Sequence, residues 1–236
     1  MTIYNKLVGS KNESNKRLIA LLDPDKKNND NLKKQIDYIN CNNFCAILVG
    51  GSLIMDSKYS SRIETIKRNT NLPLISFPSS AFQINNNFDA IFFISLISGR
   101  NPQYLIGEQV SSAPIIHDFK IETIPVGYIL LDGGSRTSVE IISNTKPLPM
   151  NKIDIVIAHA LASQYLGHKF LYLECGSNSQ TSIDLNLLSE VKGCVDIPII
   201  VGGGVKNESD ILAIYEAGAD FVVVGSMIEN KVIDLK

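Results

Sequence analysis

Cysteine and histidine are few in this 236-residue chain, and both are scattered. Cys41, Cys45, Cys175 and Cys194 make no CxxC pair and lack zinc-ligand spacing, so they read as the reduced thiols of a cytoplasmic protein. No Ser-His-Asp or Cys-His set can be assembled around His117, His159 and His168. His159 lies in an apolar helix face and reads as structural. His168 follows a helix C-terminus, where positive charge is mildly favoured. Basic charge is not in excess: 22 Lys and Arg stand against 24 Asp and Glu, and the net charge of −2 gives nucleic acid no footprint. Long apolar runs are also missing. Residues 90–96 form the longest and fall far short of a membrane span, and the first residues hold no apolar signal-peptide core. No GxGxxG follows the first apolar run, as a dinucleotide-binding sheet would require, and no linker-like or low-complexity break divides the chain. A single domain over residues 1–236 is expected.

What the chain does have is a rhythm. Apolar runs recur, each ended by glycine, serine or aspartate and followed by a helical pattern. Residues 198–205, PIIVGGGV, set the type. Ile199-Ile200-Val201 suits a strand covered on both faces, and Gly202-Gly203-Gly204 removes every Cβ at its end. Asn207 or Ser209 can cap the helix that follows. The next unit repeats the device, with residues 221–224 as strand and Gly225-Ser226 after it. Earlier strands are expected at 18–22, 44–49, 72–78, 89–95, 126–131 and 170–174. Eight strands alternating with helices predict a (β/α)8 TIM barrel, an α/β fold with all strands parallel. Its third helix is expected to be irregular or missing, because residues 79–87 are too few for one. Residues 115–124 read as an extra extended piece before the fifth strand, and the last helix as short or absent. Residues 1–16 read as a short helix or arm before the barrel.

In such a barrel the C-terminal strand ends share one mouth, and the loops after strands 7 and 8 form the standard phosphate site. Glycine amides backed by a helix N-terminus suit oxyanions, so Gly203, Gly204, Gly225 and Ser226 are candidates; tight turns are the alternative. Asp23 ends the first strand before Pro24, and Ser52 follows Gly50-Gly51 at the second. Magnesium is held by one or two carboxylates plus substrate phosphates, so Asp23 is a candidate ligand and Ser52 a neutral oxygen beside it. A turn or helix cap is the alternative for each. Glu174 ends the sixth strand between Leu173 and Cys175, where an unpaired carboxylate is costly. A general base or a ligand-hydroxyl acceptor is favoured there over a salt bridge. Lys26 and Arg100 can reach a phosphate or remain solvated.

Taken in order, Leu22-Asp23-Pro24-Asp25-Lys26, Val49-Gly50-Gly51-Ser52, Tyr172-Leu173-Glu174-Cys175-Gly176-Ser177, Val201-Gly202-Gly203-Gly204-Val205 and Gly225-Ser226 resemble the geranylgeranylglyceryl phosphate synthase family. That family includes the bacterial heptaprenylglyceryl phosphate synthases. The resemblance implies a prenyltransferase that joins a polyprenyl diphosphate to the sn-3 hydroxyl of sn-glycerol 1-phosphate with Mg2+, geranylgeranyl being the favoured chain. It implies Asp23 and Ser52 at the metal, and Glu174 in catalysis. Tyr172, Leu173, Glu174, Cys175, Gly176, Ser177, Asn178, Gly203, Gly204, Gly225 and Ser226 match its glycerol-phosphate site. Three positions depart or discriminate. Cys175 stands where alanine is usual, and Asn178 stands where glycine is common and puts a side chain over the phosphate loop. Leu21 replaces the lysine of one branch, which fits the branch making the geranylgeranyl product. Phe77, Phe82, Phe92 and Phe93 are candidates for an apolar prenyl trough, with ordinary core as the alternative. A homo-oligomer without nucleic acid or a transmembrane segment is the expected assembly. Two other readings stay open: another phosphate-binding barrel isomerase or synthase, which would want a further acid or lysine at the rim, and a non-catalytic barrel that binds phosphorylated metabolites.

Overall fold

The computed structural model describes residues 1–9, 17–25 and 28–234, so Lys26 lies outside the described residues. Strands β1 (Arg17–Leu22), β2 (Phe44–Val49), β3 (Leu74–Ser76) and β4 (Ala90–Leu96) are followed by β5 (Glu122–Leu130), β6 (Phe170–Glu174), β7 (Ile199–Gly202) and β8 (Phe221–Val224). They close a barrel in sequence order, every neighbour parallel, with β1 pairing β8 from Arg17↔Phe221 to Ala20↔Val224. The helices are α1 (Ile3–Gly9), α2 (Leu32–Asn40), α3 (Tyr59–Arg68), α4 (Glu108–Phe119) and α5 (Ser138–Ser143). After them come α6 (Ile153–Tyr165), α7 (Leu185–Cys194), α8 (Glu208–Glu216) and α9 (Ser226–Asp234). No helix among the described residues is long and apolar enough to cross a membrane.

The two-residue period of the pleat sorts each strand into two apolar layers. Leu48, Phe92, Phe170, Tyr172, Ile200 and Phe221 fill the barrel interior. Ile47, Ile129, Leu171, Leu173, Val201 and Val222 face the helices. Both sides of a strand are therefore dry, which is why Ile199, Ile200 and Val201 are all fully buried and the sequence shows no polar alternation there. Each such side chain stabilises the fold by roughly 1.5–3 kcal/mol.

At the N-terminal end of the barrel, α1 buries Ile3 and Leu7 against the interior layer, and Tyr4 meets Phe170 edge-on at 5.5 Å. The Glu122 carboxylate accepts the amides of Ile3 and, at 2.9 Å, Tyr4, which places a negative charge at the positive end of that helix.

Between β3 and β4 there is only a single 3-10 turn, Ala81–Gln83, as the length of the segment predicts. Residues 115–124 are not an extra extended piece. Helix α4 runs to Phe119 with Gln109, Ser112 and Ile116 buried at helical spacing; Lys120, at φ 56°, ends it, and β5 begins at Glu122. The β-branched residues and Pro114 make this stretch look extended, but packing of one face decides it. The short α5 is unforeseen in the sequence pattern, and Thr137 caps it by accepting the Glu140 amide at 3.2 Å. The last helix is short but present.

Candidate active site

The loops after β5, β6 and β7 fit together through residues without side chains. Gly203 has φ +82°, and a Cβ there would lie 2.5 Å from both Glu174 Oε1 and the Gly176 nitrogen. Gly176, at φ +96°, has Thr137 Cγ2 where its own Cβ would be, at 2.1 Å. Asn178 also takes a left-handed conformation, φ 59°, which asparagine tolerates better than most residues. That tolerance explains how it can stand where glycine is common. The Asn207 side chain caps α8 by accepting the Asp210 amide at 3.0 Å.

Glu174 is the buried charge of this cradle. It is 7% exposed, and its Oε1 accepts the Gly176 amide at 2.7 Å. Burial pushes its carboxyl up from 4.5 to about 7; the Gly176 N–H and the Tyr172 hydroxyl oppose that by favouring the charged form. Tyr172 Oη makes no well-aligned hydrogen bond among the described residues, yet it stands close enough to Glu174 to act on it. A base poised near neutrality is what proton abstraction at pH 7 requires. Beneath it lies an aromatic floor: Tyr172 stacks on Tyr128 at 5.2 Å and on Phe77 at 5.3 Å.

A cavity of about 540 Å³ opens beside Glu174 and brings together Asp23, Asp25, Ser52, Ser177 and Asn178 from three strand ends. Its far wall is apolar, with Ile91, Phe92, Phe93, Ile94 and Leu96 from β4. Phe93 and Ile91 belong to the outer face of that strand, so the cavity continues outward where the helix after β3 is lacking. Asp23 Oδ1 lies against Gly51, close enough that a Cβ there would come within 2.6 Å, so the glycine leaves room beside Ser52. Asp25 donates its amide to Asp23 Oδ1 at 3.2 Å. These are hard oxygen donors of the kind Mg2+ takes. Among the described residues no group of three or more His, Cys, Asp or Glu could hold a metal by itself. Gly203, Gly204, Gly225 and Ser226 are not among the residues lining this cavity: a Cβ on Gly204 would meet Thr181 O at 2.4 Å, one on Gly225 would have Leu21 O at 3.4 Å, and Ser226 begins α9.

Other expected residues fall elsewhere. Leu173 and Cys175 turn their side chains to the helix layer, which leaves their main chain alone on the mouth side. Phe77, Phe92 and Phe93 line the cavity; Phe82, 96% exposed on the 3-10 turn, lines a separate groove. Arg100 does not line the cavity; it donates to the Gly99 carbonyl at 2.7 Å and lies 3.3 Å from His159. Burial lowers the His168 pKa, and the ring nitrogen sits 3.0 Å from both the hydroxyl and carbonyl oxygens of Ser163. Desolvation there outweighs the Ser163 carbonyl, so positive charge is disfavoured on this ring. Many cavity residues were not anticipated, among them Tyr128, Gln109, Ser112 and Thr137. The last had a signal, Thr137-x-x-Glu140, the capping pattern.

Fold and site together define a class: a (β/α)8 barrel with glycine-rich strand ends whose polar mouth opens into an apolar trough. The chain matches the PcrB family over residues 11–236 and belongs to it. It is 42% identical over 229 residues to a geranylgeranylglyceryl phosphate synthase of Flavobacterium johnsoniae, covering 97% of this chain and 94% of that relative. Among solved structures it resembles wild-type GGGPS from Thermoplasma volcanium, with a TM-score of 0.90 and 33% identity over 99% of this chain and 94% of that one. It also resembles the (S)-3-O-geranylgeranylglyceryl phosphate synthase of Thermoplasma acidophilum in complex with its substrate sn-glycerol-1-phosphate. There the TM-score is 0.87 and the identity 33%, over 97% of this chain and 92% of that one.

Proposed function

We propose that this protein transfers the geranylgeranyl group of its diphosphate to the sn-3 hydroxyl of sn-glycerol 1-phosphate, releasing diphosphate. The observation that carries this reading is one continuous cavity, polar at the strand ends and apolar along β4. A substrate pair made of a phosphorylated polyol and a long hydrocarbon diphosphate needs both halves. The names of the relatives and the substrate held by the Thermoplasma acidophilum enzyme support the choice of pair. Leu21, in place of a lysine, supports the geranylgeranyl branch.

In this reading the glycerol phosphate sits over Gly203-Gly204 and Gly225-Ser226, with the N-terminus of α9 favouring its charge and Ser177 and Asn178 beside it. Glu174 takes the proton of the sn-3 hydroxyl as that oxygen bonds to the first prenyl carbon. The bond from this carbon to the diphosphate oxygen breaks, and its electron pair leaves with the diphosphate. Positive charge developing on the allylic carbon has the aromatic rings of Phe77 and Tyr128, which line the cavity, as neighbours. Asp23 and Ser52 would hold Mg2+, for which two protein oxygens and the substrate's phosphates are a sufficient set. When bound, that ion neutralises charge on the departing diphosphate. The trough buries the tail, at about 0.8 kcal/mol per methylene.

The test is direct. Purified protein given labelled sn-glycerol 1-phosphate, Mg2+ and prenyl diphosphates of several lengths yields a prenyl ether, most rapidly with the geranylgeranyl chain. No product at any length overturns the reading. Asp23→Ala abolishes turnover in a folded protein; near-wild-type turnover removes its metal role.

A further inference from the structure

Arg62, on α3, takes no part in the proposed chemistry. Its side chain is 5% exposed and it is not among the residues lining the cavity. The guanidinium is engaged on several sides at once. Nη1 and Nη2 each donate to one carboxylate oxygen of Asp56 at 2.7 Å. Nη1 also donates to the Pro24 carbonyl at 3.2 Å, and Nε to Asn29 Oδ1 at 3.2 Å. Pro24 and Asn29 belong to the loop after β1, and Asp56 to the loop after β2. One side chain thus fastens two loops to each other and to a helix.

Those two loops carry the oxygens assigned to the metal. Asp23 directly precedes the gripped Pro24 carbonyl, and Ser52 lies in the loop that Asp56 anchors. Sheet pairing does not fix their separation, because the β1–β2 register ends at Leu22↔Val49. A second tie runs parallel to the first: Asp25 Oδ1 accepts the Met55 amide at 3.2 Å. A buried ion pair is weak evidence for stability, since apolar replacements are often as good. What an apolar replacement cannot supply is the planar fork that reaches a carboxylate and a main-chain carbonyl together, and lysine cannot supply it either.

Resting on the Mg2+ assignment to Asp23 and Ser52, we infer that Arg62 is a positioning residue for the divalent cation and its diphosphate, holding the loops after β1 and β2 at the separation that lets both oxygens serve one ion. It touches neither substrate. Arg62→Lys keeps the charge and loses the fork. Asp56→Asn keeps the shape and loses the ion pair at a position that is 25% exposed, where folding is less at risk. Mn2+ is titrated into the wild-type chain and both variants with inorganic diphosphate present, free Mn2+ being followed by electron paramagnetic resonance. Binding of sn-glycerol 1-phosphate is measured on the same samples by calorimetry. In both variants Mn2+ affinity is expected to fall about 10-fold or more, as for residues that orient metal ligands, with glycerol-phosphate affinity unchanged. Wild-type Mn2+ affinity in a folded variant overturns the role of Arg62 and leaves the metal assignment standing. Parallel loss of both ligands marks Arg62 as a general structural residue and also overturns it. Absence of Mn2+ binding by the wild-type chain overturns the metal assignment itself, and this inference with it.

Discussion

Glu174 joins the chemistry to the stability of the chain through a single proton. Burial raises its carboxyl from 4.5 to about 7, so the folded state holds that proton more tightly than the unfolded state. The stabilisation from the bound proton is complete below pH 4.5 and is lost as pH rises through 7. Glu174→Gln imitates the protonated carboxyl and keeps an acceptor for the Gly176 amide. It is therefore expected to be more stable than the wild type at pH 8, by up to roughly 3 kcal/mol, and no more stable near pH 4. Denaturant melts at the two pH values check this, and a pH-independent difference would sink it. Turnover of the same variant falls about 100-fold or more if the carboxylate is the base, and wild-type kcat/KM declines below pH 7. Gly203→Ala meets a different obstacle, a left-handed φ and a Cβ 2.5 Å from Glu174 Oε1 and the Gly176 nitrogen. The backbone conformation alone costs about 1–2 kcal/mol, and the KM for glycerol phosphate rises as the cradle spreads. Both residues were legible in the sequence for physical reasons. A carboxylate inside an apolar strand is an anomaly, and three successive glycines at a strand end are punctuation. What the motif could not say is which way each side chain faces. The two-residue period turns Leu173 and Cys175 outward, while Tyr172 faces the barrel interior and Glu174 the cavity.

At the scale of elements, β-strands under helices announced themselves as runs of Ile, Leu and Val, and seven of the eight barrel strands lie within a few residues of where those runs are. The fifth begins four residues early because residues 115–124 hide a helix end and a strand start behind Pro114 and several isoleucines. Polar side chains at helical spacing, Gln109 and Ser112, were the missed cue; they face the cavity rather than solvent. Helix α1 shows the converse, an element with little sequence signal that tertiary contacts stabilise. Its first amides have Glu122 as acceptor, 118 or more residues away in sequence. Glu122→Ala removes that cap and is expected to lower stability by about 1 kcal/mol, as cap deletions do. Turnover at saturating substrate stays at the wild-type level, because the N-terminal face of such barrels serves stability rather than chemistry. A melt and a rate on one sample decide both halves of this expectation.

For the whole molecule, the consequential feature is an omission in an otherwise regular barrel. With only the turn Ala81–Gln83 after β3, Phe93 on the outer face of β4 stays half-buried, and it lines the cavity together with Ile91. A barrel with eight complete βα units would bury this surface and leave a phosphate site with no place for a tail. The segment's length made the omission legible, but the trough needed coordinates, because its walls come from the loop after β3 and from β4, α4 and α5, which span residues 77–143. The geometry separates head from tail: Asp23 and Glu174 stand at the ends of β1 and β6, while Ser112 lines the cavity from α4, behind β4. Ser112 is 7% exposed, so Ser112→Phe places a ring in the trough and little in solvent. Overpacking of this kind costs about 1–3 kcal/mol, which here falls on the complex with a long chain. With geranylgeranyl diphosphate kcat/KM is expected to drop about 10-fold or more, with a shorter prenyl diphosphate much less, and glycerol-phosphate affinity not at all. Equal losses for long and short chains would show that the tail does not run along α4, and the trough would then have to be sought on another face of the barrel.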